Sequence, residues 1–236
     1  AFQMLHKLRA GMIRPDHDSI GDPWPVEVDE AFVGGRTKGK GRGVTDAPLV
    51  VAAVEVRTRV TPKKGRRIVY AGRLRLRQIV SRERAELEPF VRENVLVDST
   101  VRTDGWHGYD YLRALGYQHE PLVLDGDAEL TDQHLPMVHV VFSNLKTWLR
   151  GTHHGVSPQH LQTYLNEYVF RFNRRFYKHT SFASVLGIGT LGTGPTYEGL
   201  YGGDWEHKHN PPGASAPGPL PGLQRTAPRL RRMNRW

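Results

Sequence analysis

The chain has 236 residues, a formal net charge of +9 and no cysteine; this leaves room for one sizeable α/β core with tails and excludes disulfides and a cysteine-based zinc site within the span. A sequence pI near 9.9 implies a polyanionic partner, with nucleic acid ahead of ribosomal or membrane-surface roles. The longest apolar runs, such as residues 48–54, are far too short to cross a bilayer, and no signal-peptide pattern is present at the start.

Residues 1–13 carry an amphipathic helical pattern, with Phe2, Leu5 and Leu8 set against Lys7 and Arg9. Because the sequence opens with Ala1 inside that pattern, we expect further chain upstream. Residues 15–25, rich in Pro, Gly and Asp, read as a linker and a domain boundary. A strand is expected over Val26 to Val33, broken by Gly34 and Gly35, with a basic glycine-rich loop from Lys38 to Gly43. Two more strands follow, Leu49 to Val56 and Ile68 to Val80, with a turn at Pro62-Lys63-Lys64-Gly65. Arg82 to Asn94 reads as a helix with Ser81 as N-cap and Glu83, Glu86 and Glu88 in its early turns. Then come a short strand through Val101 and Thr103, a helix around Tyr109 to Leu115, and a strand from Pro121 to Leu124. A helical period covers Met137 to Arg150, and Ser157-Pro158 opens a long helix reaching about Tyr177. From Gly187 onward the Gly and Pro content predicts a disordered tail with a basic tip, Arg229 to Arg232.

Three places hold groups suited to chemistry. Asp29 lies in Val26-Glu27-Val28-Asp29-Glu30, a strand whose alternation is interrupted by charge that something must solvate. Asp104 follows a strand and precedes Gly105, which lets backbone approach closely. In the helix Val138 to Arg150, one arc is apolar, while His139, Ser143, Lys146 and Arg150 form a narrow polar stripe with Asn144 at its flank. Each has an ordinary explanation alone: a solvated edge strand, an Asp-Gly turn, a helix whose polar side faces water. Basic residues also cluster. Lys63, Lys64, Arg66 and Arg67 lead into Arg73-Leu74-Arg75-Leu76-Arg77, where alternation sets Arg73, Arg75 and Arg77 on one sheet face, a dense stripe for contacting phosphates. Trp148, Tyr164, Tyr168 and Phe172 have helix-packing spacing, and His107 and Tyr109 are taken as packing residues beside Asp104.

The element order β-β-β-α-β-α-β followed by helices is the order expected of an RNase H-like fold. Over roughly residues 1–186 the chain resembles bacterial insertion-sequence transposases with a D-D-(E, N or H)-K signature. The likeness rests on Val26 to Glu30 with Gly34-Gly35, on Thr103 to Trp106 with Gly108-Tyr109, on Leu145-Lys146, on Gly151 to Ser157, and on Tyr164 to Glu167 with Phe170 to Arg175. It implies an α/β, RNase H-like mixed sheet flanked by helices. It also implies metal-dependent DNA cleavage and strand transfer, with Asp29 and Asp104 as the first two catalytic aspartates and two divalent ions, Mg²⁺ or Mn²⁺, as cofactors. Counting back two turns from the signature Lys146 lands on His139 as the third member, with Asn144 as the alternative. The remaining implications are transposon-end and target DNA as partners, a homo-oligomer on that DNA, and a bacterial cytoplasmic, nucleoid-associated location.

The domain division expected is 1–22 as the end of an upstream helical DNA-binding region plus linker, 23–186 as the catalytic domain, and 187–236 as the basic tail. The sequence departs from the family in lacking the zinc ribbon and in offering an imidazole, a ligand suited to Mn²⁺ more than Mg²⁺. Two other readings share the same residues: a remnant that binds DNA without catalysis, and a basic RNA-binding protein.

Overall fold

A computed structural model describes residues 2–13, 18–34, 47–62, 65–122 and 135–189. The glycine-rich loop at 38–43, Lys63, Lys64, the stretch 123–134 and the tail from 190 onward lie outside the described residues. The five strands are β1 (Val26–Phe32), β2 (Leu49–Val60), β3 (Arg67–Ile79), β4 (Thr100–Thr103) and β5 (Gln118–Pro121). The helices are α1 (Phe2–Ala10), α2 (Arg84–Asn94), a 3-10 helix (His107–Leu115), α3 (Pro136–His153), α4 (Pro158–Asn173) and α5 (Ser181–Gly189). They form a mixed α/β structure around one sheet of order β3-β2-β1-β4-β5. The first three strands are antiparallel, while β4 and β5 run parallel to β1 and to each other. The mixed sheet flanked by helices expected from the sequence is the architecture present.

Strand β2 explains why the sheet needs two covers. Its run Leu49 to Val54 is apolar on both faces and fully buried, as a central strand between two layers should be. Leu49, Val51 and Ala53 face a core closed by Leu87, Phe90 and Val91 of α2 and by Tyr109 and Leu112 of the 3-10 helix. Val50, Ala52 and Val54 face the other core, with Leu74 and Leu76 of β3, Val138, Val141 and Leu145 of α3, and Leu161 and Leu165 of α4.

Several elements differ from the sequence expectation: α2 starts at Arg84 with Glu83 rather than Ser81 as N-cap, and β2 runs on past Val56 to Val60. The last strand is Gln118–Pro121 rather than Pro121 to Leu124: the chain turns at Gly116, whose φ of +88° is a glycine conformation, and arrives beside β4 at once. Helix α4 stops at Asn173 instead of Tyr177. The Asn173 amide there bonds both Leu74 N (2.8 Å) and Leu74 O (3.1 Å) on β3, and Arg175 caps carbonyls of Gly72, Ala71 and Phe172. Beyond it α5 continues helical through Gly189, past the expected start of the tail at Gly187. In the stretch 15–25, residue Ile20 is fully buried and bridges to Val95. Helix α1 docks on α4 through an Arg9–Glu167 ion pair at 2.7 Å.

Candidate metal and catalytic centre

Strand β1 carries three carboxylates into the sheet interior, and its two faces divide them. Glu27 and Asp29 pair with Val54 and Ala52 of β2 and so point to the α3 side, whereas Glu30 pairs with Val51 and points to the 3-10 helix side. The neighbouring strand β4 is parallel to β1, with Val26 opposite Val101 and Glu27 opposite Arg102. Continuing that register by two residues sets Asp104 level with Asp29. One oxygen each from Asp29, Glu30 and Asp104 lie within 4.8 Å of one another, although Glu30 starts from the opposite face of the strand.

Helix α3 brings the next group. His139 Nε2 sits 3.3 Å from Asp29 Oδ2, with the imidazole about a quarter exposed. What aims that helix is Glu27. Its Oε2 accepts from the backbone N–H of Met137 (2.8 Å) and of Val138 (2.9 Å), so a strand carboxylate occupies the positive end of α3. Glu27 is 1 % exposed, and burial pushes its carboxyl up to about 7 against the pull of those two N–H donors. The clamp and the Asp29–His139 contact lie two residues apart on β1 and again about two apart on α3.

Asp104 is fixed from the other side. Its Oδ1 accepts from Trp106 N (3.0 Å), closing a turn through Gly105, whose φ of +79° explains the glycine. Its Oδ2 lies 3.4 Å from Arg82, which also reaches both Glu30 oxygens at 3.3 and 3.4 Å. The Arg82 guanidinium stands 4.8 Å over the Trp106 ring, and Trp106 Nε1 donates to Arg82 O at 2.9 Å. A Cβ on Gly108 would meet that same carbonyl at 2.7 Å. The Gly-Trp-His-Gly run is thus the seat of an arginine. Burial pushes the Glu30 carboxyl up to about 7 despite Arg82, and the Asp29 and Asp104 charges add to the push.

The ISXO2-like transposase domain family matches residues 21–173, which run from the residue after Ile20 to the last residue of α4. The chain belongs to this family. It has no match among curated proteins or solved structures. DNA is the partner that membership in a transposase family implies.

In this ISXO2-like domain, three residues singled out from sequence come together: Asp29, Asp104 and His139, with Asp29 as the shared neighbour. Asn144 is exposed and, five residues on from His139, faces roughly 140° further round the helix. Lys146 is also exposed, two turns beyond His139 on the same face. Arg66 and Arg67 are exposed at the far end of the β2–β3 hairpin. The face of Arg73, Arg75 and Arg77 is the one expected, opposite Leu74 and Leu76, yet each guanidinium has a partner inside the chain. Arg73 holds the fully buried Glu55 (2.8 Å), Arg75 bonds Asp18 O and Leu74 O, and Arg77 pairs with Glu93.

Sequence reasoning gave no role to Glu27, Glu30 or Arg82, and it took Tyr109 for packing. Two glutamates flanking Asp29 in a seven-residue strand that is mostly buried were the available signal, because buried charge requires a partner or a purpose. Arg82 was hidden among eleven basic residues. Tyr109 is fully buried on the Glu30 side, and its hydroxyl has no hydrogen-bond partner among the described residues. Burial first, then the Glu30, Asp29 and Asp104 charges, hold its ionisation well above the usual range.

Proposed function

We propose that this domain is a DNA transposase that cuts and joins phosphodiester bonds with divalent metal, on an RNase H-like framework spanning residues 23–186. The observation that carries the reading is the position of Asp29: one carboxylate that lies against Asp104 on one side and His139 on the other. The donor set fits a hard divalent cation, since carboxylate oxygens converge from two adjacent strands and one imidazole joins them. Bound Mg²⁺ or Mn²⁺, as two ions, would activate the attacking hydroxyl and stabilise the leaving oxygen. Asp29 and Asp104 are the anchoring ligands; His139 is the third and is preferred to Asn144 because Asn144 faces away.

The protein's own contribution is placement. Sheet register holds the two aspartates level, Glu27 holds the first turn of α3, and His139 is thereby kept against Asp29. Lys146 lies further along the His139 stripe, where it can meet a phosphate of the transposon end. The basic end of the β2–β3 hairpin extends the DNA surface. On the same reading the domain acts as a homo-oligomer on paired DNA ends, in the bacterial cytoplasm at the nucleoid, with residues 1–22 joining it to an upstream DNA-binding region.

A strand-transfer assay on end-containing DNA with Mg²⁺ or Mn²⁺ tests this. Asp29→Asn and Asp104→Asn should each lower product by roughly a thousandfold or more while DNA binding persists. Product from Asp29→Asn at the wild-type level would end the proposal, and wild-type binding with no product in either metal would favour a DNA-binding remnant.

A further inference from the structure

Glu30 is left over by the site just proposed. It adjoins Asp29 in sequence, its side chain is fully buried, and one of its oxygens lies within 4.8 Å of an oxygen of Asp29 and of Asp104. Its ion-pair partner is Arg82, at 3.3 and 3.4 Å, the long end of hydrogen-bond range for a charged pair. A guanidinium built to be a permanent counter-ion of a buried carboxylate would sit closer to both oxygens than this. Here it is shared with Asp104, rests on the face of Trp106, and is about one-third exposed. A route to solvent is therefore open to it.

The second observation comes from Tyr109. Its hydroxyl is fully buried on the Glu30 side with no partner among the described residues, an arrangement that costs stability. A carboxylate that shifts when its guanidinium leaves can supply that acceptor. The backbone of Arg82 does not need to move: Trp106 Nε1 and the bare Cα of Gly108 fix its carbonyl, while the long side chain is free to change direction. Charge points the same way. Oxygens of three carboxylates lie within 4.8 Å of one another, and among the described residues one arginine, Arg82, pairs with two of them, so the cluster is short of positive charge.

We propose that Glu30 is a third carboxylate ligand of the metal centre, and that Arg82 is a built-in cation that occupies its place without metal and swings toward a DNA phosphate when metal enters. The proposal rests on the metal-dependent reading above. The experiment is Mn²⁺ binding to the full chain, measured by calorimetry and by the free-Mn²⁺ electron paramagnetic resonance signal. Wild type is compared with Asp29→Asn, Glu30→Gln and Arg82→Gln. Glu30→Gln should weaken binding roughly 10- to 100-fold, and Arg82→Gln should tighten it about threefold or more by removing a competing charge.

If Asp29→Asn loses Mn²⁺ while Glu30→Gln binds like wild type, the role of Glu30 is refuted and the catalytic reading survives. If Asp29→Asn also binds like wild type, both fall together. Weaker Mn²⁺ binding in Arg82→Gln overturns the exchange. Because Arg82 is partly exposed, that variant remains a fair test even where Glu30→Gln fails to fold.

Discussion

Replacing Glu27 separates its two opposed effects on stability. Its Oε2 accepts from Met137 N and Val138 N, and both Glu27 and Val138 are buried to within about 1 %. Glu27→Ala strips two helix N-terminal donors of their acceptor, at roughly 1–3 kcal/mol each where buried, and leaves a void. The same change removes a carboxylate whose ionisation the fold resists. A folded value of about 7 against an ordinary 4.5 corresponds to about 3 kcal/mol at alkaline pH. For a raised carboxyl the sign is fixed: that penalty is absent below the ordinary value and complete once pH has risen through the folded one. Glu27→Gln drops the charge and keeps a carbonyl oxygen for both N–H groups. At pH 8 in urea, Glu27→Gln should therefore equal or exceed wild type, with Glu27→Ala about 2–5 kcal/mol below Glu27→Gln. The advantage of Glu27→Gln over wild type should shrink toward pH 5. Equal stabilities for the Gln and Ala variants would show that the two N–H bonds do not hold α3, and the account of how His139 is aimed would fail with them.

Two other outcomes follow from the arginines and from His6. Removing Arg59, Arg66 and Arg67 together, all exposed on the hairpin, should lower the slope of log affinity against log salt for DNA by about 2–3 with little change in melting temperature. Arg73→Ala instead leaves the buried Glu55 short of a partner and should cost several degrees. Fluorescence anisotropy over a salt series and thermal melts read these, and a full slope in the triple variant would remove the hairpin from the DNA surface. His6 is fully buried with neither ring nitrogen bonded among the described residues, near Arg9 of its own helix and against His160 and Tyr164 of α4, with His153 of α3 behind Tyr164. Burial first, then the Arg9 and His160 charges, hold its imidazole down at about 4. The docking of α1 should be fully stable above pH 6.5 and lost as pH falls through about 4, read by hydrogen exchange in α1. An unchanged acid profile in His6→Phe would refute it.

The sequence and the structure agree where a single element decides the outcome. Strand β2 is legible because an uninterrupted apolar run bounded by turns has few alternatives, and the face of Arg73, Arg75 and Arg77 is legible because alternation in a strand leaves no choice. The helical stripe placed His139 and Lys146 together on the same grounds. Agreement ends where a contact between distant elements decides. The end of α4 at Asn173 depends on Leu74, ninety-nine residues earlier, and β5 depends on how Gly116 turns the chain. No local pattern contains those partners.

The arginine stripe shows why charge composition overstated one surface and understated another. Eleven basic residues between 57 and 84 suggested a phosphate face, yet Arg73, Arg75, Arg77 and Arg82 have acceptors within the fold, and two of their partners, Glu55 and Glu30, have fully buried side chains. A buried carboxylate needs a cation nearby, so part of the positive charge is internal compensation for acids that the sheet has taken in. Glu55 shows the settled case: Arg57 and Arg73 bind it at 2.6 and 2.8 Å, and together they hold its carboxyl below the usual range in spite of burial. Glu30 has one loosely held arginine and a raised carboxyl. The same pairing of acid and arginine is closed in one place and incomplete in the other. The incomplete one lies beside Asp29 and Asp104, where the proposed metal would supply the missing positive charge.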